Sequence, residues 1–400
     1  MATLATFRSP AAVALAGSLS LAVAMGIGRF ALTPVLPLMV REGQITLAQG
    51  SWLAAANYLG YLAGALLAAR LRVSASTLSI GCLAAIAVST AAMALPYPMP
   101  WLVSRFVAGV CSAGVFVATS VWCLAFLAQC GRQELAGWVY AGVGAGITLA
   151  GLFALTSGVF GLGAGLLWVL LGALAALMSI PVFLALRVVL TVAAGQPATV
   201  PAPSVIPRGT VGLVLCYGVM GFGYILPATF LPVLARTVVD DPRLFGLAWP
   251  IFGATAVVAT LAAGASMRRC SRLKVWAYCQ ALMGVGALLP GLWLSGMTVL
   301  VSALLVGGTF MVITLAGVQE IRARVSWNST VWVSHLTSAF ALGQITGPAA
   351  SALLLLQSTY AAEALQLGLL AAAAALLVTA TWLWRQSTPS LIERSLQNAP

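Results

Sequence analysis

The stretch GIGRFALTPVLPLMVR at residues 26–41 recurs, much altered, as GFGYILPATFLPVLAR at residues 221–236. A constant offset of 195 pairs Gly26, Gly28, Pro37 and Arg41 with Gly221, Gly223, Pro232 and Arg236. Farther along the chain the offset becomes 198, where LVS at 102–104 matches LVS at 300–302. Ordered matches in separate segments predict a chain built from two related halves, and the prolines in both copies predict helices broken at matching positions.

The composition is that of a membrane protein. Of the 400 residues, 62% are hydrophobic and 6% are charged, whereas a soluble domain has about 25% charged residues. The net charge of +12 comes from basic residues scattered singly between apolar runs, which indicates membrane topology and no nucleic-acid partner. The first apolar run, at 11–40, is too long for a cleaved signal peptide and is predicted to be the first span.

Apolar runs of roughly 20 residues or more, the length needed to cross a bilayer, occur twelve times. They lie at 11–40, 46–69, 74–95, 100–128, 133–157, 161–186, 209–235, 244–266, 273–294, 297–319, 328–356 and 361–384. Between the sixth and seventh runs, LTVAAGQPATVPAPSVIPR (190–208) has the composition of an extended linker. We therefore predict an all-α polytopic membrane protein with twelve transmembrane helices in two six-helix bundles, 1–188 and 209–400, joined by a linker at 189–208.

Basic residues are distributed unequally between the two sides predicted for these spans. With the N-terminus inside, fourteen lysines and arginines lie on the inner side and three, Arg41, Arg236 and Arg243, on the outer side. Because positively charged loops remain in the cytoplasm, both termini and the linker are predicted to be cytoplasmic. A count of eleven spans would destroy this asymmetry and is rejected.

Six motifs occur in order along nearly the whole chain: GIGRFALTPVLP (26–37), AANYLGYLAG (55–64), RFVAGVCSAG (105–114), GWVYAGVGAGI (137–147), GGTFMVIT (307–314) and FALGQITGP (340–348). With them the sequence resembles the major facilitator superfamily, and more narrowly its YbfB/YjiJ-like bacterial branch. The resemblance implies twelve helices, alternating access and secondary transport of small solutes, with the chain in the bacterial plasma (inner) membrane. It does not identify the substrate.

One motif of the superfamily is incomplete here. The inner loop between helices 2 and 3 is expected, from the resemblance, to carry Gly-x-x-x-Asp-Arg-x-Gly-Arg. Gly64 and Arg72 are present, but Ala68 replaces the acid, and the second copy has Arg268 at that position. An inner gate in this protein must therefore be built without that aspartate.

Arg29 lies about 18 residues along the first span, or roughly 27 Å from its start. Since a central arginine costs about 2.5–3.5 kcal/mol on insertion scales, it should face a water-filled cavity or a partner. Arg105 lies at a comparable depth in helix 4, and with Gly109 it forms an Arg-x-x-x-Gly motif that resembles many proton-coupled exporters. The alternatives are structural: Arg29 bonding the carbonyls of a broken helix, and Arg105 reaching lipid headgroups.

All seven acidic residues lie near span ends or in loops, so no carboxylate is predicted near the midplane. Two buried cations without a buried anion predict a positive potential in the outer half of a central cavity. Guanidinium groups suit bidentate recognition of carboxylate or phosphate. We therefore hypothesise a small organic anion as the substrate, held by Arg29 and Arg105. The exporter-like motif favours proton-coupled efflux, whereas the lack of a midplane acid favours an anion uniporter or exchanger.

Three groups are candidates for proton coupling. His335 is the only histidine in the chain, and histidine titrates near neutral pH; a hydrogen-bonded interfacial histidine is the alternative. Glu134 and Glu320 are each predicted at an inner helix end, beside Arg132 or Arg322. For both glutamates a local ion pair at the membrane surface is the alternative.

Uncharged polar side chains within the spans complete the candidate transport pathway: Asn57, Tyr58, Tyr224, Gln319 and Gln344. Tyr224 occupies the position of Arg29 in the second half, and the ordinary role of such groups is hydrogen bonding between helices. Small residues and prolines in the quoted motifs are predicted to serve as packing and hinge positions: Gly26, Gly28, Pro34, Pro37, Gly109, Gly347 and Pro348.

These features predict a secondary active transporter that moves a small solute by alternating access. A multidrug or lipophilic-cation proton antiporter is the alternative within this class, and a channel or receptor-like scaffold is the alternative outside it. An enzyme is not predicted, because the sequence offers no nucleophile–base pair, metal cluster or buried carboxylate pair. No cofactor or metal is expected; the expected partners are a small-molecule substrate, protons and the lipid bilayer, with the chain as a monomer.

Overall fold

A computed structural model describes the backbone of residues 9–71, 73–193, 206–236, 242–357 and 361–387. Within these ranges the chain forms twelve long helices and is otherwise turns and two short 3-10 segments. The helices are α1 (Pro10–Arg41), α2 (Leu47–Arg70), α3 (Ala75–Ala92), α4 (Pro98–Gln129), α5 (Ala136–Phe160), α6 (Ala164–Ala193), α7 (Thr210–Arg236), α8 (Pro242–Ser266), α9 (Arg272–Leu292), α10 (Gly296–Arg324), α11 (Ser329–Gln357) and α12 (Ala361–Ser387).

Eleven of these helices, all except α11, are long and apolar enough within the described residues to cross a membrane. The chain is therefore an all-helical, multi-pass membrane protein. The longest helix, α4, has 32 residues, or about 48 Å at 1.5 Å per residue. α11 is a 29-residue helix with buried polar side chains, among them Ser334, Thr337 and Gln344, and it packs against α2, α7 and α12.

Several helices begin at the capping residues that the sequence provides. Thr46 and Gln49 form a capping box at the start of α2, in which the Thr46 hydroxyl accepts from the Gln49 amide at 3.2 Å. α4 begins at Pro98, which fits the first turn because no hydrogen bond is required of its nitrogen there. α6 continues to Ala193, five residues into the predicted linker, and residues 194–205 of that linker lie outside the described residues.

Glycines bring helices from different parts of the chain into backbone contact. A Cβ built on Gly26 would lie 2.3 Å from the Cα of Gly146, so α1 and α5 touch along their backbones. Gly144 and Gly253 bring α5 and α8 equally close: a Cβ on Gly144 would lie 2.6 Å from the Gly253 carbonyl oxygen. α5 also packs on α8 near the start of α5 and the end of α8, where the two contacting residues are Gly137 and Gly264. Each contact requires a residue without a side chain.

One face of the molecule gathers the start of α1 and the end of α12, and we call it the terminal face. There the Cys123 thiol of α4 lies 3.5 Å from the carbonyl oxygen of Val13 in α1. A Cβ built on Gly209, which precedes α7, would lie 3.5 Å from Gln386 Oε1 at the end of α12. At the opposite face, Glu42 follows α1, and its carboxylate accepts hydrogen bonds from the backbone amide of Ala164 at the start of α6.

Candidate functional site

The candidate site is built around an interruption in α1. An α-helix (Pro10–Leu21) passes into a π-helical turn (Ala22–Ile27), and α-helix resumes at Leu32–Arg41 after a turn at 28–31. The predicted break in this helix is therefore present. It begins before the prolines, however, because Pro37 lies inside the resumed helix.

Changes in hydrogen-bond register at this interruption free backbone carbonyls. The Gly28 amide donates to Val23, five residues back, at 2.8 Å, which leaves the Ala24 carbonyl without its usual partner. Since Pro34 has no N–H, the Phe30 carbonyl accepts from the amide of Thr33 instead, at 3.2 Å. Freed carbonyls inside a membrane span need other donors.

Two side chains of α4 supply these donors. The Ser112 hydroxyl donates to the Ala24 carbonyl at 2.6 Å. Arg105, seven residues earlier on the same helix, donates from Nη1 to the Gly28 carbonyl at 3.0 Å and from Nη2 to the Arg29 carbonyl at 2.7 Å. Arg105 is 2% exposed, so it is a buried cation bonded to the broken helix. Arg105 thus has the structural role, bonding the carbonyls of a broken helix, that was the alternative prediction for Arg29.

In the part of the second half that the structure describes, this arrangement is absent, and α7 is a continuous helix from Thr210 to Arg236. The expectation of helices broken at matching positions is therefore wrong for α7. At the offset of 198, the counterparts of Arg105 and Ser112 are Ala303 and Phe310, neither of which has a side-chain donor. Without donors, freed carbonyls would stay unsatisfied, so the unbroken helix is favoured despite its prolines.

Arg29 is buried among residues of both halves of the sequence, with 3% of its surface exposed. Its Nη2 donates a hydrogen bond to Gln344 Oε1 of α11. The guanidinium carbon lies 3.7 Å from the ring centroid of Tyr61 and 5.8 Å from that of Tyr58, both in α2. The rings of Phe30 and Phe340 lie at 5.4 and 5.6 Å, so four aromatic rings surround the charge. Contacts of this kind stabilise a desolvated guanidinium.

The polar groups near Arg29 are mostly hydrogen-bond donors without an acceptor. They are Arg29 Nε and Nη1, Arg105 Nε and Gln344 Nε2, all buried. The corresponding unpartnered acceptor is Asn57 Oδ1, whose amide nitrogen donates to the Arg105 carbonyl at 2.9 Å. Among the described residues no acidic side chain forms an ion pair with Arg29 or Arg105. The cluster therefore carries two positive charges and an excess of donors.

A row of aromatic rings extends from Arg29 into the second half of the chain. The ring of Phe30 meets Trp249 edge to face at 6.4 Å, and Trp249 stacks on Phe252 at 5.4 Å. Phe252 stacks on Phe310 at 5.3 Å, and Phe310 stacks on Tyr224 at 5.0 Å. Tyr224, the counterpart of Arg29, thus lies 1% exposed within this apolar row. The indole Nε1 of Trp249 is buried without an acceptor, a further unpartnered donor.

The structure brings together most of the residues predicted for the transport pathway. Arg29 contacts both Tyr58 and Gln344, and Asn57 donates a hydrogen bond to the backbone carbonyl of Arg105. The ring centroids of Tyr224 and Phe340 are 6.1 Å apart. Gln319 is separate from this cluster and lines a cavity at the terminal face. Whether these residues bind a substrate stays a prediction.

The three proton-coupling candidates lie outside the buried cluster. His335 is exposed on α11, with its ring edge to face against Trp332 at 5.4 Å. Glu134 pairs with Arg132 at the start of α5. Glu320 pairs with Arg324 at 2.8 Å and more distantly with Arg272 at 3.9 Å, rather than with the neighbouring Arg322. Both glutamates are therefore in the local ion pairs that were considered as the alternative.

The predicted packing glycines lie where helices touch. A Cβ on Gly28 would lie 2.9 Å from Ser112 Oγ, one on Gly109 would lie 2.2 Å from the Asn57 carbonyl oxygen, and one on Gly347 would lie 2.5 Å from Ile225 Cγ2. Pro34 is half-buried and Pro37 is exposed. The side chain of Pro348 lies outside the described residues.

Sequence reasoning missed three residues of this cluster: Tyr61, Ser112 and Phe340. Tyr61 and Phe340 both lie in motifs quoted above, and Tyr61 follows Tyr58 by three residues, a spacing that places both rings on one helix face. Ser112 follows Arg105 by seven residues, two helical turns, which also indicates a shared face. These spacings could have indicated the positions.

Comparison of the sequence with curated proteins gives no significant match. A family profile described as "Uncharacterised MFS-type transporter YbfB" matches residues 21–383. The chain therefore belongs to this family of major facilitator transporters, as the motifs indicated.

Among solved structures, the fold is similar to that described as the "human organic anion transporter MFSD10 (TETRAN)". The two share 16% sequence identity with a TM-score of 0.71, over 94% of this chain and 99% of the human chain. At this identity the likeness concerns the fold alone. The family is one of multi-pass membrane transporters rather than enzymes. Among the described residues, no group of three or more His, Cys, Asp or Glu side chains could hold a metal ion.

Proposed function

We propose that this protein is a secondary transporter for a small organic anion with an apolar, preferably aromatic body, and that Arg29 binds the anionic group. The observation that carries the proposal is the set of unpartnered buried donors around Arg29. A buried donor left without an acceptor costs about 1–3 kcal/mol, and more when it is charged. A carboxylate has only acceptors, so a bound carboxylate would accept a hydrogen bond from Arg29 Nη1 or Nε, neither of which has an acceptor.

The apolar body of the substrate is proposed from the aromatic row. Rings stack favourably on other rings and on flat apolar groups, and the row begins at Phe30, directly beside the guanidinium of Arg29. A carboxylate bound at Arg29 would leave its body facing Phe30 and Trp249. The human neighbour is an organic anion transporter by description, but the proposal rests on Arg29 and not on that likeness.

Arg105 is proposed to position Arg29 rather than to bind the anion itself. Both of its terminal nitrogens are bonded to carbonyls of α1, one of them the carbonyl of Arg29. It therefore fixes the backbone from which Arg29 extends.

The arrangement in the membrane is proposed from charge and repeat. The terminal face is assigned to the cytoplasm because the span order predicts that fourteen of the seventeen basic residues outside Arg29 and Arg105 lie on the side of the termini. Residues 1–188 and 209–400 would form two bundles that rock about the site to give alternating access, in a bacterial inner membrane. Gln344, from the second half, holds Arg29 of the first, so the site lies between the proposed bundles.

Proton coupling is not part of this proposal. His335 is exposed, and Glu134 and Glu320 are in ion pairs with neighbouring arginines. Uniport or anion exchange by a monomer needs none of these groups to titrate. The multidrug antiporter alternative requires a cation site, whereas the described cluster presents positive charge.

Counterflow in proteoliposomes tests the proposal. Vesicles would be loaded with benzoate, phenylacetate, hexanoate or phenyl phosphate, and uptake of the labelled compound followed for wild type, Arg29→Gln and Arg70→Gln. Arg70 is an exposed arginine at the end of α2 and serves as the control. We expect saturable counterflow of at least one anion by wild type and Arg70→Gln, with kcat/KM lower by about 10- to 100-fold in Arg29→Gln, since a charge-assisted bond is worth about 1.5–3 kcal/mol. Transport of tetraphenylphosphonium alone, equal in all three proteins, would contradict the proposal.

A further inference from the structure

A cavity of about 560 Å³ opens at the terminal face, separate from the cluster around Arg29. Its lining comes from α4, α9, α10, the start of α11 and the 3-10 segments that precede α5 and α11. The charged residues in the lining are Arg272 and Arg322, with no acidic residue among them. Gln319, Asn328 and Thr330 add uncharged polar groups. The cavity is therefore basic, and its lining combines these polar groups with apolar side chains, most of them from α4.

Glu320, which pairs with the lining residue Arg272, does not neutralise this cavity. Glu320 is shared between Arg324, at 2.8 Å, and Arg272, at 3.9 Å. Counting Arg322 as well, three arginines face one glutamate, a net charge of +2. Arg322 has no acidic partner within hydrogen-bond or ion-pair distance among the described residues.

Arg322 instead reaches from α10 to the backbone of α4. Its Nη1 donates to the carbonyl of Ser120 and, at 3.1 Å, to the carbonyl of Val121. Ser120 is 1% exposed, and its hydroxyl shares a 2.7 Å hydrogen bond with Tyr140 of α5, so the accepting backbone is firmly held. The contact joins residues 202 positions apart in the chain, one from each half of the sequence. We call it the Arg322 latch.

We propose that the cavity is an anion-binding site for a carboxylate or phosphate group, and that the bound anion draws Arg322 from the carbonyls of α4 and opens the latch. Hydrogen bonds from guanidinium to an ionised acceptor are roughly twice as strong as those to a neutral one. An anion between Arg272 and Arg322 therefore competes favourably with the two neutral carbonyls. Release separates the ends of α4 and α10 on this face.

Anion binding in the cavity goes beyond the proposed function, because this binding does not involve Arg29. Only the role of the Arg322 latch in gating rests on the proposed alternating access. No acidic side chain in the lining would repel an anion that enters the cavity. The carboxylate or phosphate has two possible sources: a soluble cytoplasmic anion or the headgroup of an anionic lipid.

Two native cysteines allow the latch to be measured in the unaltered protein. Cys130, after α4, and Cys270, before α9, are the exposed cysteines of the described chain, and the other five are buried or half-buried. Spin labels on this pair report the separation of α4 from the neighbouring end of α9, which packs on α10. Neither cysteine lines the cavity.

The experiment compares label distances in phosphatidylcholine nanodiscs with and without inorganic phosphate, against chloride at equal ionic strength. We expect phosphate to lengthen the mean distance in wild type and in Arg29→Gln, because this site is independent of Arg29. Arg272→Gln should need at least about 10-fold more phosphate for the same change. Arg322→Gln should show the long distance without phosphate and no response to it.

A second set of nanodiscs containing phosphatidylglycerol distinguishes the sources of the anion. A long distance in these nanodiscs without phosphate would assign the site to a lipid headgroup, and a response to phosphate alone would assign it to a soluble anion. An unchanged distance in wild type under both conditions would overturn the inference. So would a phosphate response in Arg322→Gln equal to that of wild type. Failure of anion counterflow through Arg29 would leave this result unaffected.

Discussion

Replacement of Arg105 by leucine should destabilise the protein by removing the donors that hold the interrupted α1. The change leaves the carbonyls of Gly28 and Arg29 buried and without partners, where they now accept bonds at 3.0 and 2.7 Å. Two charge-assisted hydrogen bonds are together worth about 3–6 kcal/mol in water-soluble proteins. In membranes measured bonds are weaker, averaging about 0.6 kcal/mol, with a maximum near 1.7.

Removal of the buried cation also returns part of its desolvation cost, because Arg105 Nε has no acceptor. We therefore expect a net loss of about 2 kcal/mol in the free energy of unfolding, or roughly 30-fold in the folded-to-unfolded ratio. Unfolding of the purified protein in mixed micelles of increasing SDS content, followed by circular dichroism, measures this change.

Arg70→Leu is the matched control, since Arg70 is exposed and its loss should change stability by less than about 0.5 kcal/mol. The stability of Arg105→Lys should fall between those of wild type and Arg105→Leu, because a single ammonium replaces a planar guanidinium that donates to two carbonyls. If Arg105→Leu proved as stable as Arg70→Leu, the claim that Arg105 holds the break in α1 would be refuted.

Three further changes have defined outcomes. Gly26→Ala should destabilise the protein by about 1–3 kcal/mol, because its Cβ would lie 2.3 Å from Gly146 Cα. Gly81→Ala in α3, where a Cβ would have no atom within 4 Å, should stabilise it by up to about 1 kcal/mol. The same SDS titration compares the two variants, and equal effects would contradict the backbone contact at Gly26. Glu42→Gln should lower the free energy of unfolding by about 0.5–1 kcal/mol and speed hydrogen exchange at the Ala164 amide, which donates to both carboxylate oxygens of Glu42. Unchanged exchange would argue against capping of α6 by Glu42. Tyr61→Phe should retain wild-type stability, because it keeps the ring whose centroid lies 3.7 Å from the Arg29 guanidinium carbon. Tyr61→Leu should lose about 1 kcal/mol, because it removes that ring. Equal losses in the two variants would show that the hydroxyl matters more than the ring.

Much of the fold could be predicted from hydropathy, because a span needs a long apolar run whatever its neighbours are. The fourth span was predicted at 100–128, and α4 begins two residues earlier, at Pro98. The break in α1 followed from local residues. The form of the break did not. A π-helical turn depends on donors from another helix, here Ser112 and Arg105, and these were recognised as partners of α1 only in three dimensions.

The composition of the candidate site was predicted in part. Arg29, Gln344 and Asn57 were singled out because polar groups inside spans are rare, and they lie in or beside one cluster. The partners of arginines were harder to predict, because a guanidinium side chain reaches far and accepts many partners. Arg105 bonds carbonyls of α1, and Arg322 bonds carbonyls of α4 rather than Glu320, two residues away in sequence.

The most direct test of the account is ligand-induced thermal stabilisation of the purified protein. The melting temperature of wild type, Arg29→Gln and Arg70→Gln would be measured with benzoate, phenyl phosphate and tetraphenylphosphonium. At least one of the two anions should stabilise wild type and Arg70→Gln and should not stabilise Arg29→Gln, because the anion accepts from a donor of Arg29 that otherwise has no acceptor. Stabilisation of all three proteins by the cation, with no effect of either anion, would contradict this prediction and make Arg29 a structural residue.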